Sequence, residues 1–533
     1  MTGVILTISS LLAVMVVIAV IAQRISVPPS ILLVIAGVGL ALIPGLPPVE
    51  LAPELVLLVM LPPLIYSAGV SMSWREFCFN LRPITLLAFG AVVFTTVAVA
   101  AAMHYLLGWP WSVALVLGAI VSPPDVVAPL AIARRLGLPR RLLVVLEGEG
   151  LANDATALIL YRFAVVVVST GMFSAPQAAG TFALIVVGEI VYGIGVGWLS
   201  LRLRHWAQNP RVEITLSVMT PFLAFLVPHQ IGGSGVLATV AAGLYVSWNG
   251  PRLISAATRL QGIFFWDLIV YLIEGFVFLI TGLQARTLIE KAQNFPVAEI
   301  LAATAITVAI VILARIVWVF PAIYLPRWLI PPLARRDPSP PWQWPALLSF
   351  IGVRGVVSLA AALAIPLTIE GGAPFPYRDL ILFATFGVII VTLVGQGLML
   401  PAVIRWLGIG IQSHAEHRAE RQAELEARSE AIRAAREHLD RIAAERGLSE
   451  DVVAFLNARH EHRERLMPAD LSGMAAARVR NDLRLELIAA EREFLYGLLR
   501  SGKITDESRR RLERDLDLEE AAILARRDGE TPL

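Results

Sequence analysis

Cysteine is almost absent from this chain of 533 residues: Cys78 stands alone. An internal disulfide is therefore excluded, as is a metal centre built on several thiolates, and Cys78 itself reads as a small apolar packing residue. Charge is scarce as well. Only 16% of residues are charged and 57% are hydrophobic. A soluble globule is about a quarter charged, so this composition belongs to an integral membrane protein. No Lys or Arg precedes Arg24, and Val27, Pro28 and Pro29 follow where a small-residue cleavage site would be expected. The first apolar run thus lacks the marks of a cleavable signal peptide. No phosphate loop, nucleotide-binding motif or nucleic-acid module occurs, and nothing in the pattern asks for a cofactor.

The charge that is present is unevenly placed. Residues 411–533 hold 22 basic and 26 acidic side chains, which leaves 22 and 16 for residues 1–410. The last quarter of the chain is therefore acidic and densely charged, and the rest is basic and sparsely charged. This shift predicts a membrane domain over 1–410 and a cytoplasmic helical domain over 411–533.

Apolar runs of bilayer-spanning length recur near 3–22, 29–46, 54–71, 83–107, 111–133, 142–169, 178–201, 213–229, 233–248, 264–284, 297–324, 345–367 and 381–404. They predict an all-α polytopic membrane protein with about thirteen spans. With the N-terminus outside, the inner loops hold fifteen Lys/Arg and the outer loops three, Arg286, Lys291 and Arg378. That asymmetry supports both the count and the orientation, and it places the tail in the cytoplasm of a plasma-membrane protein.

Within the sixth run stands "EGEGLANDATALILYRFAVVVV" (147–168), with Glu147, Glu149, Asn153, Asp154 and Arg162 in an otherwise apolar stretch. Ionisable residues at membrane depth are a functional hypothesis by default. Glu149 and Asn153 are four apart and project from one helix face, with Asp154 one position round. Glu147 reads as a helix-end or funnel charge. Arg162 and Arg315 read as residues near a segment end or facing another helix, or as members of structural ion pairs. Arg354, in "FIGVRGVVSLAAALAIP" (350–366), lies deep in the twelfth span between Gly352 and Gly355. A guanidinium there needs a buried carboxylate or a water-filled cavity, and the glycines permit a break in the helix. The fifth span contains "GAIVSPPDVVAPLAIARR" (118–135), where Pro123 and Pro124 predict a break at Ser122–Asp125. Asp125 at that break reads as a cap on the second half-helix, as a functional carboxylate, or as both. Interrupted helices at the fifth and twelfth positions are equivalent if two six-span halves are joined by one linker span. That arrangement is the mark of a secondary transporter built from inverted repeats.

These residues resemble the motifs of monovalent cation/proton antiporters of the NhaP and sodium/hydrogen exchanger type. "LEGEGLANDATALILYRFAV", "AIVSPPDVVA", "GGSGVLATVAAGL" (232–244), "FLITGLQ" (278–284) and "GVRGVVSLAAALAIP" occur in the family's order. The resemblance covers about residues 1–410. It implies thirteen spans, a homodimer, and exchange of an alkali cation for a proton. By motif position it implies that Asp154 binds the ion and the proton, with Asn153 beside it. It implies that Glu149 pairs with Arg354 and that Asp125 is the acidic residue of the unwound fifth segment. Two positions depart from the pattern: Gly150 stands where many relatives carry Ser, a candidate cation ligand, and Pro124 where many carry Thr. Glu274 lies where relatives often have Asn, and reads either as a carboxylate on a cavity wall or as a direct participant. Ser122 is a further candidate contact.

The chemistry of the residues agrees. A buried carboxylate holds either a proton or a hard cation such as Na+, and competition for one group couples the two flows. With Glu149 neutralised and Asn153 uncharged, Asp154 is the one exchanging carboxylate, which predicts electroneutral exchange of one Na+ (or Li+) for one H+ in pH and sodium homeostasis. K+/H+ exchange on the same fold is the nearest alternative. Two readings of another class stay open, an intramembrane aspartyl protease built on the two aspartates and a transport-inactive sensor.

The tail predicts helices over 415–447, 449–466, 471–500 and 506–527. Leu425, Ile432 and Leu439 repeat at seven-residue spacing, which suits either a short coiled coil or an amphipathic helix packing on its neighbours. His414, His417, His438, His460 and His462 offer groups that titrate near neutrality. "RHEHR" (459–463) admits a metal pair but reads better as a solvated helix face.

Overall fold

The computed structural model describes residues 2–25, 27–44, 52–171, 174–292, 295–370, 372–465, 474–501 and 503–528. Among the described residues the fold is helical throughout, with one isolated bridge between Thr368 and Pro374. Each of the thirteen apolar segments is helical over most of its length. Among the described residues, eight helices are long and apolar enough to cross a membrane, and Pro29–Ala41, Leu55–Ser71 and Trp111–Val121 are shorter apolar helices. Arg140–Thr170 has 31 residues, and Ala175–Ala207 and Val297–Leu329 have 33 each. At 1.5 Å per residue they reach about 47–50 Å, more than a hydrocarbon core is thick, so they tilt or extend into the interface.

Local chemistry sets the ends. Asn209 accepts a hydrogen bond from the Arg211 amide ahead of the Pro210 start, and Ser255 does the same for Thr258. Gly108, Gly171 and Gly408 close their helices in the left-handed conformation. Leu184, Val187, Val191 and Trp198 of Ala175–Ala207 are exposed, the surface a spanning helix turns to lipid. At one close crossing the contact is glycine on glycine, Gly37 against Gly282. A Cβ at Gly37 would lie 2.3 Å from the Leu279 carbonyl oxygen, and one at Gly282 would lie 2.3 Å from that of Val34. Small residues at such crossings let two backbones meet.

The chain divides into two compact units, Met1–Ile409 and Gly410–Leu533. The second is made of helices Ile409–Arg446, Glu450–Arg465, Met474–Arg500 and Asp506–Asp528. Its last two form a hairpin laced by Arg484–Glu519 and Arg492–Asp517 ion pairs. Ile432, Ile488 and Ile523 are buried, and Leu425 and Leu439 are half-buried, so the seven-residue seam packs within the unit. His438 is exposed and His460 half-buried. The side chains of His414, His417 and His462 lie outside the described residues.

Candidate functional site

Two helix breaks meet at the centre of the first unit. Trp111–Val121 stops at Ser122, and the chain stays non-helical to Val126 before Val127–Arg135 begins. Pro123 and Pro124 account for it, because neither has an N–H to continue the ladder. The second break is Ile351–Gly355, between Gln343–Phe350 and Val356–Leu363. The two are joined where the Asp125 amide donates to the Val353 carbonyl at 2.7 Å. Asp125 Oδ1 accepts from the Val127 amide at 2.9 Å, so it caps the second half-helix while its side chain also lines a cavity. Gly355 must be glycine here: a Cβ would fall 1.8 Å from Asp125 Oδ2.

Arg354 serves the carbonyls that these breaks set free. Its Nε donates to Val121 O at 2.9 Å and its Nη2 to Ser122 O at 3.4 Å, with Nη1 on Gly352 O. The guanidinium thus sits at the C-terminal, partially negative end of Trp111–Val121. The expected pairing of Glu149 with Arg354 is therefore corrected. Glu149 is fully buried and receives both nitrogens of a different arginine, Arg315 Nη1 at 2.6 Å and Nη2 at 2.9 Å. Arg315 also donates Nε to Leu348 O at 2.9 Å. The physical reason is competition for donors: the broken helix claims those of Arg354, and Arg315 is left to present a two-pronged fork to the carboxylate. Arg162 faces another helix end: it bonds Gly233 O at 2.6 Å and His229 Nδ1 at 2.8 Å, with no ion pair to a carboxylate among the described residues.

On the same helix as Glu149, Asn153 is fully buried. Its Nδ2 donates to Pro124 O at 2.6 Å, while its Oδ1 has no partner among the described residues. Asp154, one position round, faces a cavity of about 490 Å³ that is also lined by Asp125, Gly150, Glu274, Asp267 and Glu147. No hydrogen bond or ion pair engages the carboxylates of Asp154 or Glu274 among the described residues. Glu147 pairs with Arg134 at the cavity wall. Ser122 is buried with its hydroxyl turned back onto Ala119 O at 3.0 Å, so it does not line the cavity. Asp267 adds a further carboxylate to the cavity wall. The signal was available: Asp267, Tyr271 and Glu274 recur at i, i+4 and i+7 on an otherwise apolar helix and all three line the cavity.

Gly150 explains one departure from the expected pattern. A Cβ there would lie 2.3 Å from Val126 Cγ2, so valine from the broken segment fills the space of a side chain at 150. Gly150→Ser alone should overpack the site at a cost of about 1–3 kcal/mol, seen as a lower melting temperature. Val126→Ala in the same chain should restore most of the loss. Equal melting of the single and double variants would contradict this packing.

Comparison with known proteins finds the family "sodium/hydrogen exchanger, transmembrane" matching residues 10–406. An uncharacterised Na+/H+ exchanger of Mycobacterium tuberculosis is 37% identical over 98% of this chain and 96% of its own length. The Na+/H+ antiporter ApNhaP of Aphanothece halophytica is 33% identical over 78% of this chain and 76% of its own. A sodium, potassium, lithium and rubidium/H+ antiporter of Bacillus pumilus is 33% identical over 70% of this chain and 57% of its own. Among solved structures, the sodium proton antiporter MjNhaP1 of Methanocaldococcus jannaschii superimposes with a TM-score of 0.60 at 19% identity, covering 75% of this chain and 97% of that one.

Proposed function

Because the chain belongs to the sodium/hydrogen exchanger family of membrane antiporters, we propose that it exchanges Na+ for H+ one for one at Asp154, in pH and sodium homeostasis. The observation that carries this reading is the isolation of the Asp154 carboxylate. Glu149 is neutralised by Arg315 and Arg354 is committed to backbone carbonyls, whereas Asp154 faces the cavity with no hydrogen bond or ion pair among the described residues. The Asn153 Oδ1, unpartnered among the described residues, supplies a further oxygen for a hard cation. Asp125 shapes the site from the other side. The protease alternative falls away with the family assignment, which is a family of transporters.

In this reading the protein is a homodimer of thirteen-span subunits in the plasma membrane, with its tail in the cytoplasm. The cavity runs beside Arg134 and Glu147, at the basic ends of Val127–Arg135 and Arg140–Thr170, which in this reading face the cytoplasm. The bilayer midplane site between two interrupted helices suits alternating access.

A wider cation range is the second reading, favoured by Gly150. With no hydroxyl at that position, the cation is held by a carboxylate and an amide. Such a set discriminates weakly by size. Proteoliposomes with a pH-sensitive dye inside, given Na+, Li+ or K+ in turn, decide between the two. Na+ and Li+ flux alone supports the first and an equal K+ flux the second. No flux with any cation leaves the transport-inactive sensor.

Stoichiometry follows from the same residues. If Asp154 alone changes proton occupancy, the site has equal charge with Na+ and with H+. A membrane potential imposed with valinomycin and K+ should then drive no net Na+/H+ exchange. If potential alone drives uptake, a second cavity carboxylate changes protonation, with Asp125 and Glu274 the groups to neutralise next.

A further inference from the structure

Three arginines from three helix ends converge on one carboxylate. Arg82 Nη2 and Arg327 Nη2 each donate to Asp337 Oδ2 at 2.7 Å, and Arg141 Nη2 donates to Oδ1 at 2.8 Å. Burial by itself would push the Asp337 carboxyl up, but the hydrogen bond and charge of Arg141 and the charges of Arg327 and Arg82 outweigh it and hold it below its ordinary value. Asp337 is therefore ionised at neutral pH, and three guanidinium groups against one carboxylate leave two positive charges uncompensated. The nearby Glu76 offers no relief, because Arg140 engages it.

Donors also outnumber acceptors. Arg141 gives Nε to Asn80, and Arg327 gives Nε to the Asp337 carbonyl and Nη1 to that of Ile323. Arg82 is different: its Nε and Nη1 are sealed from solvent and have no acceptor among the described residues. Buried donors of a charged group without acceptors are costly, and such a site calls for an anion.

The surroundings define which anion. The cluster stands where the helices beginning at Leu81 and Arg140 start and where Val297–Leu329 ends, the level of a membrane boundary. The cleft it borders is otherwise apolar, with Leu86, Leu142, Val145, Ala322 and Ile323 in its wall. The room inside it is about 40 Å³, space for roughly three water-sized oxygen atoms. We propose that the Arg82–Arg141–Arg327 cluster binds a phosphoryl group, carried by an anionic phospholipid headgroup or by free phosphate. The phosphoryl oxygens enter the cleft, and the remainder of a lipid lies along the apolar wall outside it. Guanidinium forks suit phosphate oxygens, and basic pockets between spanning helices on the cytoplasmic side recruit such headgroups.

The test uses purified full-length protein in neutral detergent, its melting temperature followed against phosphatidylglycerol, phosphatidylcholine or inorganic phosphate. Phosphatidylglycerol should give a saturable rise that phosphatidylcholine does not. A matching rise with inorganic phosphate assigns the site to the free ion, and its absence assigns it to the lipid. Arg82→Gln should weaken the apparent affinity roughly fivefold, the contribution of one basic residue at a membrane surface. Asp337→Asn should strengthen it by a similar factor, even if the variant melts lower without ligand, because it removes the competing carboxylate. A purely structural salt-bridge cluster predicts lower melting in both variants and unchanged ligand affinity in each. That result, or equal effects of the two lipids, would overturn the proposal.

Discussion

Asp154→Asn protein in proteoliposomes is expected to show no sodium-driven proton movement, while its yield and its melting temperature stay near those of the parent. The amide keeps the shape of the carboxylate but carries no exchangeable proton and no charge for a desolvated cation. Leaving a buried charge uncompensated costs about 3–5 kcal/mol, which is a loss of ~100-fold or more in cation affinity. The fold should tolerate the change, because among the described residues no side chain or amide hydrogen-bonds Asp154. Asp125→Ala is the informative contrast. Asp125 Oδ1 caps the helix that starts at Val127, and alanine offers no acceptor in its place, so that variant should lose transport and stability together. Glu274→Gln should retain exchange if Glu274 is only part of the cavity wall. Exchange surviving in Asp154→Asn at a sizeable fraction of the parental rate would move the site to another carboxylate.

The positions of the two breaks were legible because their causes are local. Pro123 and Pro124 remove adjacent amides, and Gly352 and Gly355 flank a residue that must reach across to another segment. The shared face of Glu149 and Asn153 was legible for a similar reason, since a spacing of four is a fact about one helix. What one helix cannot reveal is its rotation against the next. Arg315 and Arg354 are both arginines deep in apolar spans, and choosing between them as the partner of Glu149 needs the packing of three helices at once. The same holds for Gly150, whose missing side chain makes sense only beside Val126. Glu189 is a further acid whose role its own helix does not reveal. It is buried and accepts from the amides of Ser234, Gly235 and Leu237, so a carboxylate neutralises the start of helix Val236–Leu253. The motif "GGSGVLATVAAGL" contains that helix start, but the acid that caps it lies 45 residues earlier than Ser234.

The second large effect separates the two arginines. Glu149→Gln or Arg315→Met alone should destabilise the protein by about 3–5 kcal/mol, because each leaves a fully buried charge without its partner. The double variant should recover much of that loss, since a neutral amide beside an apolar chain of similar length strands no charge. Unfolding in mixed micelles, analysed as a double-mutant cycle, should then give a coupling of at least ~2 kcal/mol for Glu149 with Arg315, in the range for groups in direct contact. Glu149 with Arg354 should couple by less than half as much, because the donors of Arg354 go to Val121, Ser122 and Gly352. Arg354→Met should instead free those carbonyls at the crossing of the two breaks, and its damage should not be relieved by Glu149→Gln. Transport divides the same way. A neutral 149/315 pair keeps Asp154 as the one titrating group, so the double variant should still exchange one Na+ for one H+, with its rate limited by stability rather than by chemistry. Equal coupling of Glu149 to both arginines would mean that the carboxylate is shared between them, and the fork at Arg315 would then be one of two states of the buried cluster.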